Sequence, residues 1–444
     1  MIDVLMIALQ FAPVQSTGAF RSIEFARRLS ALGIRPTVIT IHPDQAARIF
    51  GGKVNPDLSE GLVGVDIRYI REDQLLTDES PLRQLWRMLT TLNDTFERRF
   101  APDLARVLAR LKTERSFAAV YASAPPFGAT GLGATAARVL GAPYILDMRD
   151  AWAQWSPAPQ ITRLHYARKF RDEAQAFAAA DAIVGVTREL TNLFAKTHAG
   201  LPTDKLHVIP NGIGGVEAFP DHAAWYDTGD TVDIGYVGSF YYTPPKPASL
   251  KAPHRFLHYE PGTEDWSYRS PLYFFKAWQA LEQRAPDFAQ RMRFHHVGHT
   301  PDWLPNMAAT YCLEDKCIFH GPLPRQEMPV FLKDMSGLLA TSMKRFGGRD
   351  YCLASKSFEY LASGKPIIAF VCEGAQKSFF ERVGGALVFD PEDAHGSAQK
   401  LQALAGQGLM LPINKEHLQA YDLDRNAEQL AALLKKTADR QSAL

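Results

Sequence analysis

The residues best equipped for chemistry stand together in Ala354-Ser-Lys-Ser-Phe-Glu-Tyr-Leu-Ala-Ser-Gly-Lys-Pro-Ile-Ile-Ala-Phe370, a helical pattern that runs through glycine into an apolar strand. Ser355 is an N-cap residue type, and a capped helix start presents free backbone NH groups to an anion. Lys356 adds a cation at the same mouth, which suits a diphosphate. Glu359, one turn after Ser355, can accept hydrogen bonds from a pair of sugar hydroxyls. Together these are the parts of a grip on a nucleotide sugar. The plainer alternative is a surface helix ahead of a core strand.

Such a grip needs a sheet behind it. Apolar runs of strand length alternate with helical patterns along almost the whole chain, the pattern of parallel sheets covered by helices on both faces. In the first half the expected strands are Val4–Leu9, Pro36–Ile41, Val65–Ile70, Ala119–Ala122, Tyr144–Asp147, Ala182–Val186 and His207–Ile209. In the second they are Asp233–Val237, Arg293–Val297, Ile318–His320, Gly337–Ala340, Pro366–Val371 and Ala386–Phe389. Two such series predict an α/β protein of two doubly wound, Rossmann-like domains, over residues 1–213 and 214–415. The break falls around Asn211–Asp230, where Gly212, Gly214, Gly215, Pro220 and Gly229 cluster without periodicity. A length of 444 residues is too long for one core, which agrees with that division.

With 46% hydrophobic and 22% charged residues the composition is that of globular material, and a net charge of +1 argues against a globally basic nucleic-acid binder. The longest apolar runs are strand-length and the start carries Asp3 with no basic residue, so neither a membrane span nor a signal peptide is expected, and the reading is cytoplasmic. Cys312, Cys317, Cys352 and Cys372 form no CxxC pair and have no zinc-ligand spacing, so they read as reduced thiols and no metal site is expected.

In doubly wound domains ligands sit beyond the carboxyl ends of the strands. After the first strand, Gly18 precedes the helical Ser22–Leu32 and would let backbone approach a ligand. There is no GxGxxG fingerprint, which counts against a nicotinamide dehydrogenase. Asp147-Met-Arg-Asp150 sets two carboxylates around Arg149 at a strand end, to hold an acceptor hydroxyl or, on the structural alternative, to form an internal ion pair. The Ser123–Pro126 turn shapes the same edge. In the second half Gly238 and Gly298 follow strands and permit close approach, while His295 and His296 point to opposite faces and read as half-buried residues. Lys344-Arg-Phe-Gly-Gly-Arg349 is a basic, glycine-containing loop suited to a diphosphate, or a solvated loop.

Two segments depart from the alternation. Pro81–Arg115 is a basic amphipathic helical pattern, fit either for an anionic lipid surface or for covering the sheet with a solvated charged side. Tyr241–Arg269 is a long stretch rich in proline, aromatic and basic residues, of the kind that is functional or mobile.

Phe11-Ala-Pro13 with Gly18, Ser123–Pro126, Asp147–Trp152, Ala180–Val184, Val208-Ile-Pro-Asn-Gly-Ile213 and Ser355–Pro366, in this order, resemble the GT-B glycosyltransferases of the large family-4 type over nearly the whole length. The resemblance implies two Rossmann-like domains facing a cleft, with acceptor in the first and donor in the second. It implies that Gly18 approaches the donor sugar and diphosphate, Leu323 contacts the base through its backbone, Lys356 holds the diphosphate and Glu359 the ribose. It also implies a final helix, within residues 416–444 and patterned over Asn426–Thr437, that crosses back to the first domain. Three positions depart from the family pattern. Tyr351 stands where an earlier glutamate is usual, Ser239 where an arginine is, and Arg149 beside Asp150 where a histidine is.

The expected activity is transfer of a sugar from a UDP- or GDP-type donor to a glycan or lipid-linked acceptor, with retention of configuration, in polysaccharide or glycoconjugate synthesis at the cytoplasmic side of a membrane. No cofactor or divalent metal is expected, since cations and helix NH groups would stabilise the departing phosphate, with Lys356 foremost and Arg349 or a base from Tyr241–Arg269 in support. For an inverting reaction Asp150 is the candidate base. A non-catalytic binding subunit and a sugar-nucleotide epimerase are the alternatives on the same fold.

Overall fold

Strands form where the apolar runs place them. The computed structural model describes residues 1–72, 95–155, 162–244, 259, 262–324 and 326–442 and arranges the main strands in two sheets. The first contains β1 (Ile2–Ile7), β2 (Ile34–Ile41), β3 (Asp66–Ile70), β4 (Ala119–Ala124), β5 (Tyr144–Met148), β6 (Ala182–Gly185) and β7 (Leu206–Val208), in the order β3-β2-β1-β4-β5-β6-β7. The second contains β8 (Val232–Val237), β9 (Met292–Val297), β10 (Cys317–Gly321), β11 (Gly337–Thr341), β12 (Ile367–Phe370) and β13 (Ala386–Phe389), in the order β10-β9-β8-β11-β12-β13. Both are parallel, as in Met6 opposite Val38 and Tyr121, and Gly235 opposite His295 and Leu338. The order inverts beside the first strand of each sheet, between β1 and β4 and between β8 and β11, and this is where such folds bind ligands. Every expected run is a strand. The physical reason is visible in β1, whose Val4, Leu5, Met6 and Ile7 are all fully buried under helices on both faces.

The segment read as an aperiodic break differs from expectation. His222–Tyr226 pairs antiparallel with Gly408–Pro412, burying Ala223 and Trp225 on one face while Trp225 Nε1 donates to Leu404 O at 3.1 Å. Its alternation was present in the sequence but short and flanked by glycine and proline. The last helix, Leu423–Ser442, is longer at both ends than its apolar pattern. Ala427, Leu430, Ala431 and Leu434 pack with Phe25, Leu29, Val4 and Met6 of the first sheet's core. Lys435 Nζ donates to Leu32 O at 2.9 Å, and Arg28 pairs with Asp424.

The basic helical pattern lies partly outside the described residues, which include its Thr95–Glu114 portion. Phe100, Leu104, Leu108 and Leu111 are buried in the first core, so this helix covers the sheet, while Arg98, Arg106, Arg110 and Lys112 are exposed. Of the Tyr241–Arg269 stretch, residues 245–258, 260 and 261 lie outside the description. Beyond them Glu264–Asp265 pairs with Lys344–Arg345 and Trp266–Arg269 forms a short 3-10 turn. Among the described residues no helix is long and apolar enough to cross a membrane.

Candidate active site between the two sheets

Loops from the carboxyl ends of both sheets meet. Thr187 Oγ1, after β6, donates to Tyr351 O at 2.8 Å, and Trp155, after β5, packs edge-on against Trp266 at 6.5 Å. The space they border is where the candidate residues collect.

On the side of the second sheet, β8, β9 and β10 each run into a glycine with positive φ: Gly238 at 100°, Gly298 at 140° and Gly321 at 70°. A Cβ on Gly298 would stand 3.0 Å from Gly238 O, and Gly238 N donates to Val297 O at 2.7 Å, so the strand ends are pressed backbone to backbone. Leu323 follows two residues after Gly321 and is partly buried in the neighbouring core. Lys356 begins the helix Lys356–Ala362 and lays its Nζ 3.8 Å from the Tyr236 ring centroid. Burial holds its pKa well below the usual lysine value, with the charge of Arg269 adding to the effect and Glu359 opposing it. No carboxylate among the described residues forms an ion pair with it. Glu359 is exposed on the same face, one turn on.

Two expectations on this side meet a different local geometry. Ser355 does not cap the helix with its hydroxyl: its backbone is already helical at φ −59° and ψ −30°, and a capping side chain needs a non-helical backbone to reach the helix NH groups. Arg349 is occupied elsewhere. Its guanidinium bonds Glu373 at 3.2 Å and Ser378 Oγ at 3.0 Å and lies 3.7 Å from Glu189 of the first half, so it acts as a strap between the halves. The free cation comes instead from the long stretch. Arg269 stands over Tyr241 at 4.9 Å and Trp266 at 5.4 Å, has no ion pair among the described residues, and its field reaches Lys356, Asp350 and Asp150.

Asp350 was not singled out by sequence. It is 1% exposed; Cys352 N donates to Oδ1 at 2.8 Å, and Oδ2 has no hydrogen-bond partner. Burial pushes its pKa up to about 7 against the pull of Arg269. The folded state therefore binds more protons than the unfolded chain between about pH 4 and 7, and stability falls as pH rises through that window. Asp350→Asn is expected to raise stability by about 1 kcal/mol or more at pH 8 and to leave it unchanged at pH 4. Urea titrations at both pH values measure this, and equal effects at the two would disprove it. Tyr351, at the position of the family glutamate, is a buried residue of the first half's core and presents no carboxylate. His295 and His296 are buried rather than half-buried. They diverge as their adjacency demands, His295 to Asp233 at 2.8 Å and His296 to Gly238 O at 3.1 Å. A stack of Tyr236, Phe240 and His296 behind Lys356, with Tyr236 and Phe240 centroids 3.8 Å apart, was missed because its members come from different strands and loops.

On the side of the first sheet the expected Asp147–Arg149–Asp150 cluster separates. Asp147 is fully buried and is held by Arg21, at 2.8 Å from Nε and 3.0 Å from Nη2, and by the Tyr121 hydroxyl at 2.5 Å. Arg149 donates to backbone carbonyls, Gly18 O at 2.6 Å and that of Pro125. A Cβ on Gly18 would meet Gln10 Oε1 at 1.7 Å and Arg149 Nη1 at 3.0 Å, so Gly18 is needed to admit these two side chains, and the space at its Cα is filled by protein. Asp150 alone projects from the loop as an exposed residue. The surrounding walls raise its pKa while Arg149 and Arg269 oppose the rise. The loop is tied down by Glu173, fully buried, which accepts from Ala153 N at 3.3 Å and Gln154 Nε2 at 2.8 Å and contacts His198 Nε2 at 2.6 Å. Among the described residues no three His, Cys, Asp or Glu side chains are grouped to hold a metal ion.

Comparison with known proteins gives the class. A model described as a glycosyl transferase 4-like domain matches residues 20–212, and one described as glycosyl transferases group 1 matches residues 264–407. The chain belongs to the family-4-like GT-B glycosyltransferases. Among solved structures it is similar to HepE of Anabaena in complex with UDP, at 14% identity over 100% of this chain and 99% of the other, TM-score 0.54. It is also similar to α,α-trehalose 6-phosphate synthase of Burkholderia multivorans, at 12% identity over 100% and 98%, TM-score 0.59. A third is the lipopolysaccharide outer core galactosyltransferase WaaB, at 10% identity over 98% and 100%, TM-score 0.55. No curated protein matches the chain.

Proposed function

We propose that this glycosyltransferase takes a sugar from a UDP- or GDP-linked donor held at the second sheet and delivers it, with retention, to a glycan or lipid-linked acceptor at the first, in polysaccharide or glycoconjugate synthesis. The observation that carries the reading is the pair of cations that have no carboxylate partner among the described residues, Lys356 beside the end of β8 and Arg269 over Tyr241 and Trp266. A nucleotide diphosphate leaving an oxocarbenium-like centre gathers negative charge, and cations already fixed in place stabilise it without reorganising. With retention the acceptor attacks from the leaving-group side and the departing phosphate takes its proton. In an inverting reaction Asp150, the exposed carboxylate of the acceptor loop, is the base. The similar structure of HepE in complex with UDP favours a UDP donor.

A thermal-shift panel of UDP, GDP, CMP and dTDP sugars, repeated with a chelator, tests the donor and the need for metal. Arg269→Gln is expected to weaken the effective donor by roughly tenfold or more, the weight of one charge-assisted hydrogen bond. Arg349→Gln should leave donor affinity within about twofold, because its charge is already neutralised. Equal losses in the two would overturn the assignment of Arg269. Tyr351 in place of a carboxylate favours a second reading, a subunit that binds donor without turning it over, and product analysis by mass spectrometry separates the two. For the membrane, the exposed Arg98, Arg106, Arg110 and Lys112 predict flotation with phosphatidylserine vesicles at low salt that is lost as salt rises, at about 1 kcal/mol per basic residue at the surface. Absence of flotation at low salt removes the membrane from the proposal.

A further inference from the structure

We propose that the helical flank of the first sheet carries a groove for a neutral glycan, which holds the part of an oligosaccharide acceptor behind the sugar that reacts. The inference rests on the transferase reading above. A cavity of about 270 Å³ opens between the helices Thr95–Glu114, Gly128–Leu140 and Arg163–Ala179. This is below the roughly 300–1,000 Å³ of sites for drug-sized ligands, so this end of the trough has room for a sugar ring. One wall carries the half-buried Phe127, backed by the buried Trp152, which stacks on it at 5.1 Å and 6°. The aromatic surface that Phe127 leaves uncovered suits the CH groups of a pyranose.

The charges around it decide the ligand class. Arg98 and Arg168 are balanced by Glu97 and Asp172, with Arg168 and Asp172 paired at 2.7 Å. The lining therefore offers no net field for a phosphate or an anionic headgroup. It does offer fixed donors and acceptors for hydroxyls, with Gln175 at the exposed rim added to the charged groups. A second depression of about 430 Å³ shares Ala134 and Ala179 with the first and continues to Tyr144 and Asp181 at the amino edge of the sheet. The trough follows a helix of 13 residues, about 20 Å long, the span of several sugar rings. Its near end adjoins the loop that carries Asp150. Trp152 lies two residues after Asp150 in the loop that Glu173 anchors, at most about 7 Å of extended chain.

The test uses the full chain and saturation-transfer NMR with maltotriose, cellotriose, chitotriose and mannotriose as probes, and glucose 1-phosphate as the anionic comparison. At least one trisaccharide is expected to take up saturation. Ala134→Trp, which fills the trough, should abolish that signal, and Trp152→Leu should weaken it by up to roughly tenfold. Neither change should alter the thermal shift given by the donor. If Ala134→Trp does not fold, Gln175→Trp at the exposed rim is the plug. The proposal is overturned if no trisaccharide binds the wild type, if binding survives the plug, or if only glucose 1-phosphate binds. Donor binding is read separately. An intact donor shift without glycan binding rejects the groove alone, whereas loss of both rejects the transferase reading.

Discussion

Replacing Lys356 by methionine is expected to leave the ligand-free protein at least as stable as the wild type while abolishing its response to a nucleotide sugar. The ammonium is half-buried above the Tyr236 ring, and that burial holds its pKa well below the ordinary value that it has in the unfolded chain. Between those two values the folded state binds fewer protons, so the group costs stability near neutral pH, and the cost fades as pH rises toward the unfolded value. Methionine keeps the packing of the stem and removes the cost. A diphosphate supplies the missing negative charge and draws the pKa back up. At a hundred times its dissociation constant the donor should stabilise the wild type by about 2.7 kcal/mol and the variant not at all. Turnover should fall by about 10²–10³-fold, the usual effect of deleting one preorganised group at a developing charge. Scanning fluorimetry at pH 7 with and without donor, followed by a rate assay, reads both. A variant that melts well below the wild type, or keeps the donor shift, takes Lys356 out of the donor site.

The largest effect on folding is expected at Arg21, which is 6% exposed against a fully buried Asp147. Its guanidinium also donates to Ile209 O at 2.9 Å and Pro210 O at 2.8 Å, so one side chain joins β5 to the chain leaving β7. Arg21→Met leaves the Asp147 carboxylate buried with only hydroxyls for partners, a loss of about 3–5 kcal/mol. Removing both charges in Arg21→Met with Asp147→Leu should recover most of it, because two apolar groups need no solvation. Urea unfolding, followed by a probe in the first half, measures the series. A single-variant loss under about 1 kcal/mol would show that the pair is solvated and that the burial assigned to it is wrong.

Local pattern was enough for the strands and their order in the chain, since a run such as Val4–Leu9 has no stable place except between two layers of helices. It was also enough to bring Lys356, Glu359, Gly238 and Gly298 to strand ends, because a parallel sheet puts every such loop on one edge. Partner choice was not legible. Arg149 stands two residues from Asp147, yet Arg21, 126 positions away, takes that carboxylate because it enters the core from the facing helix. Arg349 looked like a supporting phosphate cation beside Lys356 and Arg269 like one base among many, until the fold paired the first with Glu373 and set the second over Tyr241 and Trp266.

Short-range hydrophobic period and turn chemistry therefore set the two α/β halves, the edge where the loops gather and the lysine that stands on it. The tertiary structure alone decided which charges are paired and which are left for a ligand, because that depends on contacts between segments a hundred or more residues apart and on how far each group is withdrawn from water.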